Sequence, residues 1–299
     1  MADPADGELL SEWKDRIYFN KHNPQVKPGF YTNVTNKEYH SGPGISKSNL
    51  DHVGRSFNHF LEASKIRKET PSMRKGTALH TALLEPDKFD KEYFISDLDD
   101  KRSANFKQQK EICDNDGKII LTASEGDIIL RIANGALSNK IARDLLTSDG
   151  GIPEGSCYQV HEETDLILRC RPDLLLPDAD LIVDLKTTKC ASLHGPNNFG
   201  RSAGLYHYDK QAAFYSDLMT MQTGRVHDFI FIAVENEPPF NCTVFEMDPF
   251  DIEEGRKMYK RNIAKIDFFM KNTDQIKNFG YSDQVELVEI PKYLRREDV

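Results

Sequence analysis

Two aspartates and a lysine in the second half of the chain are spaced so that one β-hairpin would bring them together. Leu166 to Leu176 and Leu181 to Thr187 read as strands, with Pro177-Asp-Ala-Asp180 as the turn between them. A four-residue turn pairs Leu176 with Leu181, and counting outward sets Asp173 opposite Asp184. Directly opposed residues of an antiparallel pair have Cβ atoms about 5 Å apart, so two like charges there repel unless a positive group lies between them. A divalent cation meets that need. Lys186 stands two residues beyond Asp184, on the same face, because strand side chains alternate with a period of two. Hard carboxylate oxygens with room for water and a phosphate oxygen suit Mg²⁺ or Mn²⁺. A neighbouring ammonium orients or deprotonates the attacking water and offsets charge in the transition state. The chemistry expected is hydrolysis of a phosphodiester. The competing account is a structural salt bridge, since a lone Asp-x-Lys is common. What favours chemistry is the second aspartate behind Arg171-Pro172, and the cost of two charges in an otherwise apolar strand.

The elements that must hold this hairpin are legible in outline. Ser46 can cap a short helix through Val53, and a second helical stretch lies near Phe57 to Ile66. Met73 to Leu84 has a helical pattern and carries His80, and Glu85-Pro-Asp87 stops it. Thr122-Ala-Ser-Glu125 is a capping box opening a long amphipathic helix. Beyond Ser156 the pattern turns to strands, at Tyr158 to His161, along the hairpin, at Asp228 to Val234 and near Thr243 to Phe245. Helices are expected from about Tyr208 to Met221 and from about Pro249 to Met270. The order predicts an α/β fold, a central mixed sheet flanked by helices, with a helical N-terminal half. Residues 1–38 read as an accessory arm. Residues 39–299 read as one domain, helical to about 150 and sheet-bearing after about 151. The stretch Asp97 to Asp149 carries no recognisable motif.

Composition narrows the function classes. With 299 residues, 38% of them hydrophobic, the chain can bury one large core or two modest ones. Its apolar runs fall far short of the roughly 20 residues of a membrane span, and its acidic start lacks a signal-peptide profile, so no membrane association and a cytoplasmic location are expected. Five cysteines, none spaced C-x-x-C, suggest neither a disulfide framework nor a zinc or iron-sulfur site. A net charge of −9 opposes unspecific attraction to a polyanion, so contact with nucleic acid must be local. The stretch Lys65 to Lys75 is either a basic patch for it or a solvated loop. No G-x-x-x-x-G-K-[ST], G-x-S-x-G or H-E-x-x-H occurs, which leaves nucleotide-dependent, serine-hydrolase and zincin mechanisms without their anchors.

Arg171-Pro-Asp173 followed by Asp184-Leu-Lys186 resembles the PD-(D/E)XK nuclease signature. Taken with Tyr39-His-Ser-Gly-Pro-Gly-Ile-Ser-Lys-Ser-Asn-Leu50, Gly76-Thr-Ala-Leu-His80, Leu84-Glu-Pro86, Arg169-Cys170 and Gln211-Ala-Ala-Phe-Tyr-Ser-Asp217, it is similar to the nuclease domain of RecE-like exonucleases, a RecB-like group usually encoded by phages or prophages. The resemblance implies the PD-(D/E)XK fold and a processive 5′ to 3′ exodeoxyribonuclease. Such an enzyme acts on linear double-stranded DNA and leaves 3′ single strands for recombination by annealing. It also implies Mg²⁺, with Mn²⁺ substituting, and a toroidal homo-oligomer, a tetramer among the options. A RecT-like single-strand annealing protein is the implied partner, and the cytoplasm of a bacterial host the implied location.

By the same resemblance Asp173 and Asp184 hold the metal, the carbonyl of Leu185 adds a ligand, and Lys186 serves the nucleophilic water. His80, by residue type alone an ordinary core histidine, is implied to sit beside the metal. Glu154 falls where related nucleases carry an acidic residue, though Pro153 and Gly155 equally suggest a solvated turn. Gln211 and Tyr215, four apart on one helix face with Tyr208 extending it, match an element that supports the active site and contacts DNA. Arg171 serves either phosphate binding or a structural ion pair. Lys189 and Arg201 are weaker candidates for gripping the backbone without sequence preference. The rival functions are a structure-specific or single-strand nuclease and a DNA-binding module that has lost catalysis.

Overall fold

The computed structural model describes residues 4–22, 24–63, 70–195, 198–272 and 284–290. In chain order come α1 (Pro4–Ile17), β1 (Gly29–Tyr31), α2 (Asn36–Ser41), α3 (Lys47–Arg55), α4 (Phe57–Glu62), α5 (Pro71–Leu84), α6 (Pro86–Glu92), β2 (Tyr93–Ile95), α7 (Ala104–Asn115), β3 (Ile119–Leu121), α8 (Ala123–Ser138) and α9 (Lys140–Leu146). The second half runs β4 (Ile152–Pro153), β5 (Ser156–Val160), β6 (Ile167–Cys170), β7 (Leu174–Leu176), β8 (Leu181–Thr188), α10 (Phe199–Leu205), α11 (Tyr208–Thr223), β9 (Asp228–Glu235), β10 (Cys242–Glu246) and α12 (Pro249–Lys271). The helix starts follow local chemistry. Ser46 precedes α3 with a capping box to Asn49, and Thr122 and Glu125 form the box that opens α8. α5 begins earlier than its apolar pattern, because Thr70 caps it and Pro71 suits the first turn. Arg74 and Lys75, the last two cations of the Lys65 to Lys75 stretch, lie in this helix, as the pattern from Met73 to Leu84 implies. Residues 65–69 of that stretch fall outside the described ones.

The central sheet has the order β10-β9-β8-β7-β4, with β8 and β9 parallel and the other pairs antiparallel. In the hairpin Leu176 pairs with Leu181 and Leu174 with Val183. The turn is a single 3₁₀ turn, Pro177–Ala179, with Asp180 in the left-handed region at φ 48°. The continuous strand expected over 166–176 is broken. β6 pairs with β5 in a second sheet of order β1-β5-β6, and β7 joins the central one. Pro172 lies in the gap, where it has no N–H to give to a ladder, so Asp173 is delivered from a kink at the join of two sheets.

Period-two alternation splits the central sheet between two cores. Ile182, Phe231 and Ala233 pack with Ala212, Phe214 and Leu218 of α11 and with Ile263 and Ile266 of α12. Val183, Leu185, Ile232 and Val234 pack with Leu79 and Leu83 of α5 and Ile129, Ile132 and Ala136 of α8. The motif-free helical stretch thus covers one face of the catalytic sheet. The segment expected as an accessory arm is built into the fold. Trp13 and Ile17 are buried in the first core, Trp13 at 4.4 Å from the Phe60 ring, and β1 pairs with β5. Among the described residues no helix is long and apolar enough to cross a membrane, and all five cysteines are free thiols.

Candidate active site

Extending the hairpin register one step past Leu174 and Val183 sets Asp173 across from Asp184. Asp173 is pinned there, because its Oδ2 accepts the Leu185 backbone N–H at 2.7 Å. Asp184 is only 2% exposed, and its two oxygens have different partners. Oδ1 forms an ion pair with Lys186 Nζ, and Oδ2 accepts from Gln211 Nε2 at 2.6 Å. Gln211 reaches it from α11, which packs on that face of the sheet. The Lys186 ammonium lies 5.0 Å from the centre of the Tyr208 ring, one residue into the same helix.

On the other side of Asp173 stand two residues from elements remote in sequence. His80 of α5 places Nδ1 at 3.4 Å from Asp173 Oδ1 and 3.7 Å from Glu154 Oε1. Glu154 follows β4 in the left-handed region at φ 52°, and its N–H donates to the Asp173 carbonyl at 3.0 Å. That strained turn aims the carboxylate inward. Ligand atoms of His80, Glu154 and Asp173 all lie within 4.8 Å of one another, the one such group found among the described residues. An imidazole and two carboxylates fit a divalent cation by donor type. Asp184 borders this group with both oxygens engaged.

The electrostatics describe a crowded cluster. Burial alone would lower the His80 pKa, but the Asp173 and Glu154 carboxylates outweigh it and raise it to about 10. Burial would raise Asp173, yet His80, Lys186 and the Leu185 N–H hold it below the ordinary aspartate range. Asp184 goes the other way. Burial pushes it up, Lys186 opposes, Asp173 adds repulsion, and the balance is about 6. Burial disfavours the Lys186 charge, but Asp184 and Asp173 together raise its pKa, so it is an ammonium.

The other predicted residues divide. Tyr215 packs edge-on to Phe229 at 6.2 Å, and burial above all, with Tyr39, Asp184 and Asp173 nearby, drives its phenol pKa well up. Arg171 is tied down. Its Nε donates to Glu154 Oε2 at 2.6 Å and its Nη1 to the Val34 carbonyl at 3.0 Å, and its guanidinium lies over the Tyr39 ring. It thus forms a structural ion pair that orients Glu154. Lys189 is exposed just past β8 and Arg201 is exposed on α10.

Three supports escaped residue-type reasoning. Arg169, 5% exposed, donates through Nη1 to the Tyr39, Gly42 and Pro43 carbonyls, so the loop before α3 is wrapped around one guanidinium. Gly44 has φ 96° in that loop, and a Cβ there would meet Ile167 Cγ2 at 2.9 Å. Lys210, 1% exposed, pairs with Asp51 at 2.6 Å, and Asp51 also pairs with Lys47 at 2.8 Å, joining α11 to α3. Asp217 accepts from Arg256 and from the Tyr259 hydroxyl, joining α11 to α12. Arg169 and Asp217 fall within quoted motifs and Lys210 directly precedes one, but the carbonyls, aspartate and arginine that meet them lie more than thirty positions away.

Comparison with known proteins agrees with this architecture. A crystal structure named "Putative exonuclease" from Eubacterium rectale superposes with a TM-score of 0.56 at 14% identity, over 87% of this chain and 94% of that one, which shows a shared fold. The structure named SSO0001 gives a TM-score of 0.30 at 11% identity, over 77% of this chain and 87% of that one, too low to weigh. No curated protein matches. The model of the PDDEXK-like domain of unknown function (DUF3799) matches residues 46–287, a span that takes in His80, Glu154, Asp173, Asp184, Lys186 and Gln211. With its mixed sheet, its Asp173 and Asp184-Leu-Lys186 hairpin and that match, the chain has the PD-(D/E)XK nuclease fold and belongs to the PDDEXK-like DUF3799 family.

Proposed function

We propose that this protein is a divalent-metal-dependent nuclease, and more narrowly an exodeoxyribonuclease that degrades linear double-stranded DNA from 5′ to 3′. The observation that carries the nuclease reading is the meeting of His80, Glu154 and Asp173 beside the Lys186–Asp184 pair on one hairpin of a PD-(D/E)XK fold. His80, Glu154 and Asp173 would hold the cation, with Asp184 and the Leu185 carbonyl as the further oxygen donors expected from sequence. Bound there, Mg²⁺ or Mn²⁺ would polarise a phosphate oxygen as a Lewis acid and make the attacking water more acidic. Lys186, kept as an ammonium by two aspartates, donates to the attacking water and offsets charge as the phosphorane forms, rather than acting first as a base. Gln211 holds Asp184 so that this ammonium has a fixed partner. Tyr208 and Tyr215 complete the wall on the α11 side. Lys189 and Arg201, both exposed, are the residues expected to grip the DNA backbone without sequence preference.

Exonuclease action, polarity and processivity rest on the likeness of the motifs to RecE-like exonucleases. The same likeness supports a toroidal homo-oligomer working in the cytoplasm with a RecT-like annealing protein. The test is digestion of a linear duplex labelled at either its 5′ or its 3′ end, with Mg²⁺ or EDTA, beside a closed circle and a single strand. Metal-dependent release of 5′ label from the linear duplex is the expected result. Cutting of the circle would replace the exonuclease by an endonuclease, preference for the single strand would favour the single-strand nuclease, and binding without cutting would leave a DNA-binding module.

A further inference from the structure

A ladder of aromatic rings runs from the sheet past Lys186 to the surface, and its last rung has no part in the hydrolysis described above. Phe245 stacks on Phe199 at 4.5 Å with 7° between planes, Phe199 meets Tyr208 at 5.9 Å, and Tyr208 stacks on Tyr206 at 5.9 Å. Tyr206 is 57% exposed, next to Leu205 at 68%. An exposed tyrosine is ordinarily unremarked surface, but the backbone of this one is held on both sides while its ring stacks on Tyr208. Its N–H donates to the Ser202 carbonyl at 3.0 Å, closing α10. Its own carbonyl accepts from Lys47 Nζ at 2.7 Å, and Lys47 is fixed in turn by Asp51, the partner of buried Lys210. His207, in the left-handed region at φ 52°, then turns the chain into α11.

An aromatic face presented to solvent at fixed orientation costs little entropy to bind upon, and nucleobases stack on such faces with little regard to sequence. Two spacings, 5.0 Å from Lys186 to Tyr208 and 5.9 Å from Tyr208 to Tyr206, separate the ammonium from the open ring. That is the reach of one nucleotide beside a phosphate held at Lys186. We propose that Tyr206 is a stacking platform for an unpaired base of the strand being cut, so that the site receives a frayed or single-stranded end rather than paired duplex. The inference rests on the nuclease reading and assigns its substrate conformation. Tyr206 touches the base, not the reacting atoms, and selects what enters.

The experiment compares the full chain with its Tyr206→Ala, Tyr206→Phe and Tyr206→Trp variants. Each is assayed with Mg²⁺ on end-labelled oligonucleotides, both duplex and single-stranded, that are intact or carry one abasic site stepped through the nucleotides next to the cut. Tyr206→Ala should lower kcat/KM about 5- to 150-fold on the intact strand, the range that stacking of one base supplies, mainly through KM. Tyr206→Phe and Tyr206→Trp should stay near the parent. At one abasic position the parent should drop by the same factor while Tyr206→Ala drops no further. An unchanged Tyr206→Ala, or a loss undiminished at every abasic position, would overturn the platform while leaving the nuclease intact. A parent protein that cuts none of these strands would sink both.

Discussion

His80 offers a sharp test of the metal site, because in the metal-free protein it carries a proton that a cation must displace. Its ring stands 3.4 Å from Asp173 and 3.7 Å from Glu154, and the two carboxylates raise its pKa from 6.5 to about 10. At about 1.4 kcal/mol per unit the upper limit on the linked stability is about 5 kcal/mol, and the partly exposed ring screens this to a smaller value. The folded pKa exceeds the unfolded one, so this stability is fully present below about pH 6.5 and is lost as pH rises through about 10. A metal ligand must be a neutral imidazole. Titrating Mn²⁺ into the protein near pH 7.5, above the value of about 6 at which Asp184 titrates, should release close to one proton per ion. Calorimetry in two buffers of different ionisation heat counts that proton. Apparent affinity should rise about tenfold per pH unit below the His80 pKa. His80→Gln should abolish both the release and the slope. Tight binding with no proton released, or a release that survives His80→Gln, would refute the assignment of His80 as a ligand.

Lys186→Ala should keep metal and DNA binding, measured by calorimetry and fluorescence anisotropy, and lose most of the cutting rate; weakened binding with normal turnover would reverse its role. Gln211→Ala leaves a buried oxygen of Asp184 without its donor and should cost about 1.5–3 kcal/mol in urea unfolding. Adding Asp184→Asn should give a non-additive cycle if the 2.6 Å bond is what was lost. Gly76 lies one helical turn before His80, and among the described residues nothing would meet a Cβ there. Gly76→Ala should therefore raise stability by up to about 1 kcal/mol, and a simultaneous loss of cutting would mark that open face as the approach of the DNA backbone. Arg169→Lys, with too few fixed donors for its carbonyls, should destabilise by about 1–3 kcal/mol and speed hydrogen exchange in residues 40–45; unchanged exchange would show that the loop does not depend on it.

The hairpin was legible from residue types because its determinants are local. A four-residue turn and a period of two suffice to bring Asp173 across from Asp184 and to put Lys186 on the same face. The caps at Ser46 and Thr122 were legible for the same reason, each being a contact over three residues. What only the tertiary structure decided concerns groups whose partners are far apart in sequence. Pairing of His80 with Asp173 and Glu154 depends on α5 packing across the sheet, and residue type alone favoured a core histidine. Glu154 stood between a metal-side carboxylate and a solvated turn by sequence, and the β4–β7 pairing brought it beside Asp173. Arg171 was open between phosphate binding and an ion pair until its 2.6 Å bond to Glu154, across the turn after β4, tied it down. Arg169 and Lys210 look like surface cations by type, and each is buried only because a ring of carbonyls or a single aspartate from a distant segment compensates its charge. Local chemistry thus specified which residues could react, and long-range packing specified which of them meet, since desolvated charges are tolerable only where the fold delivers their partners.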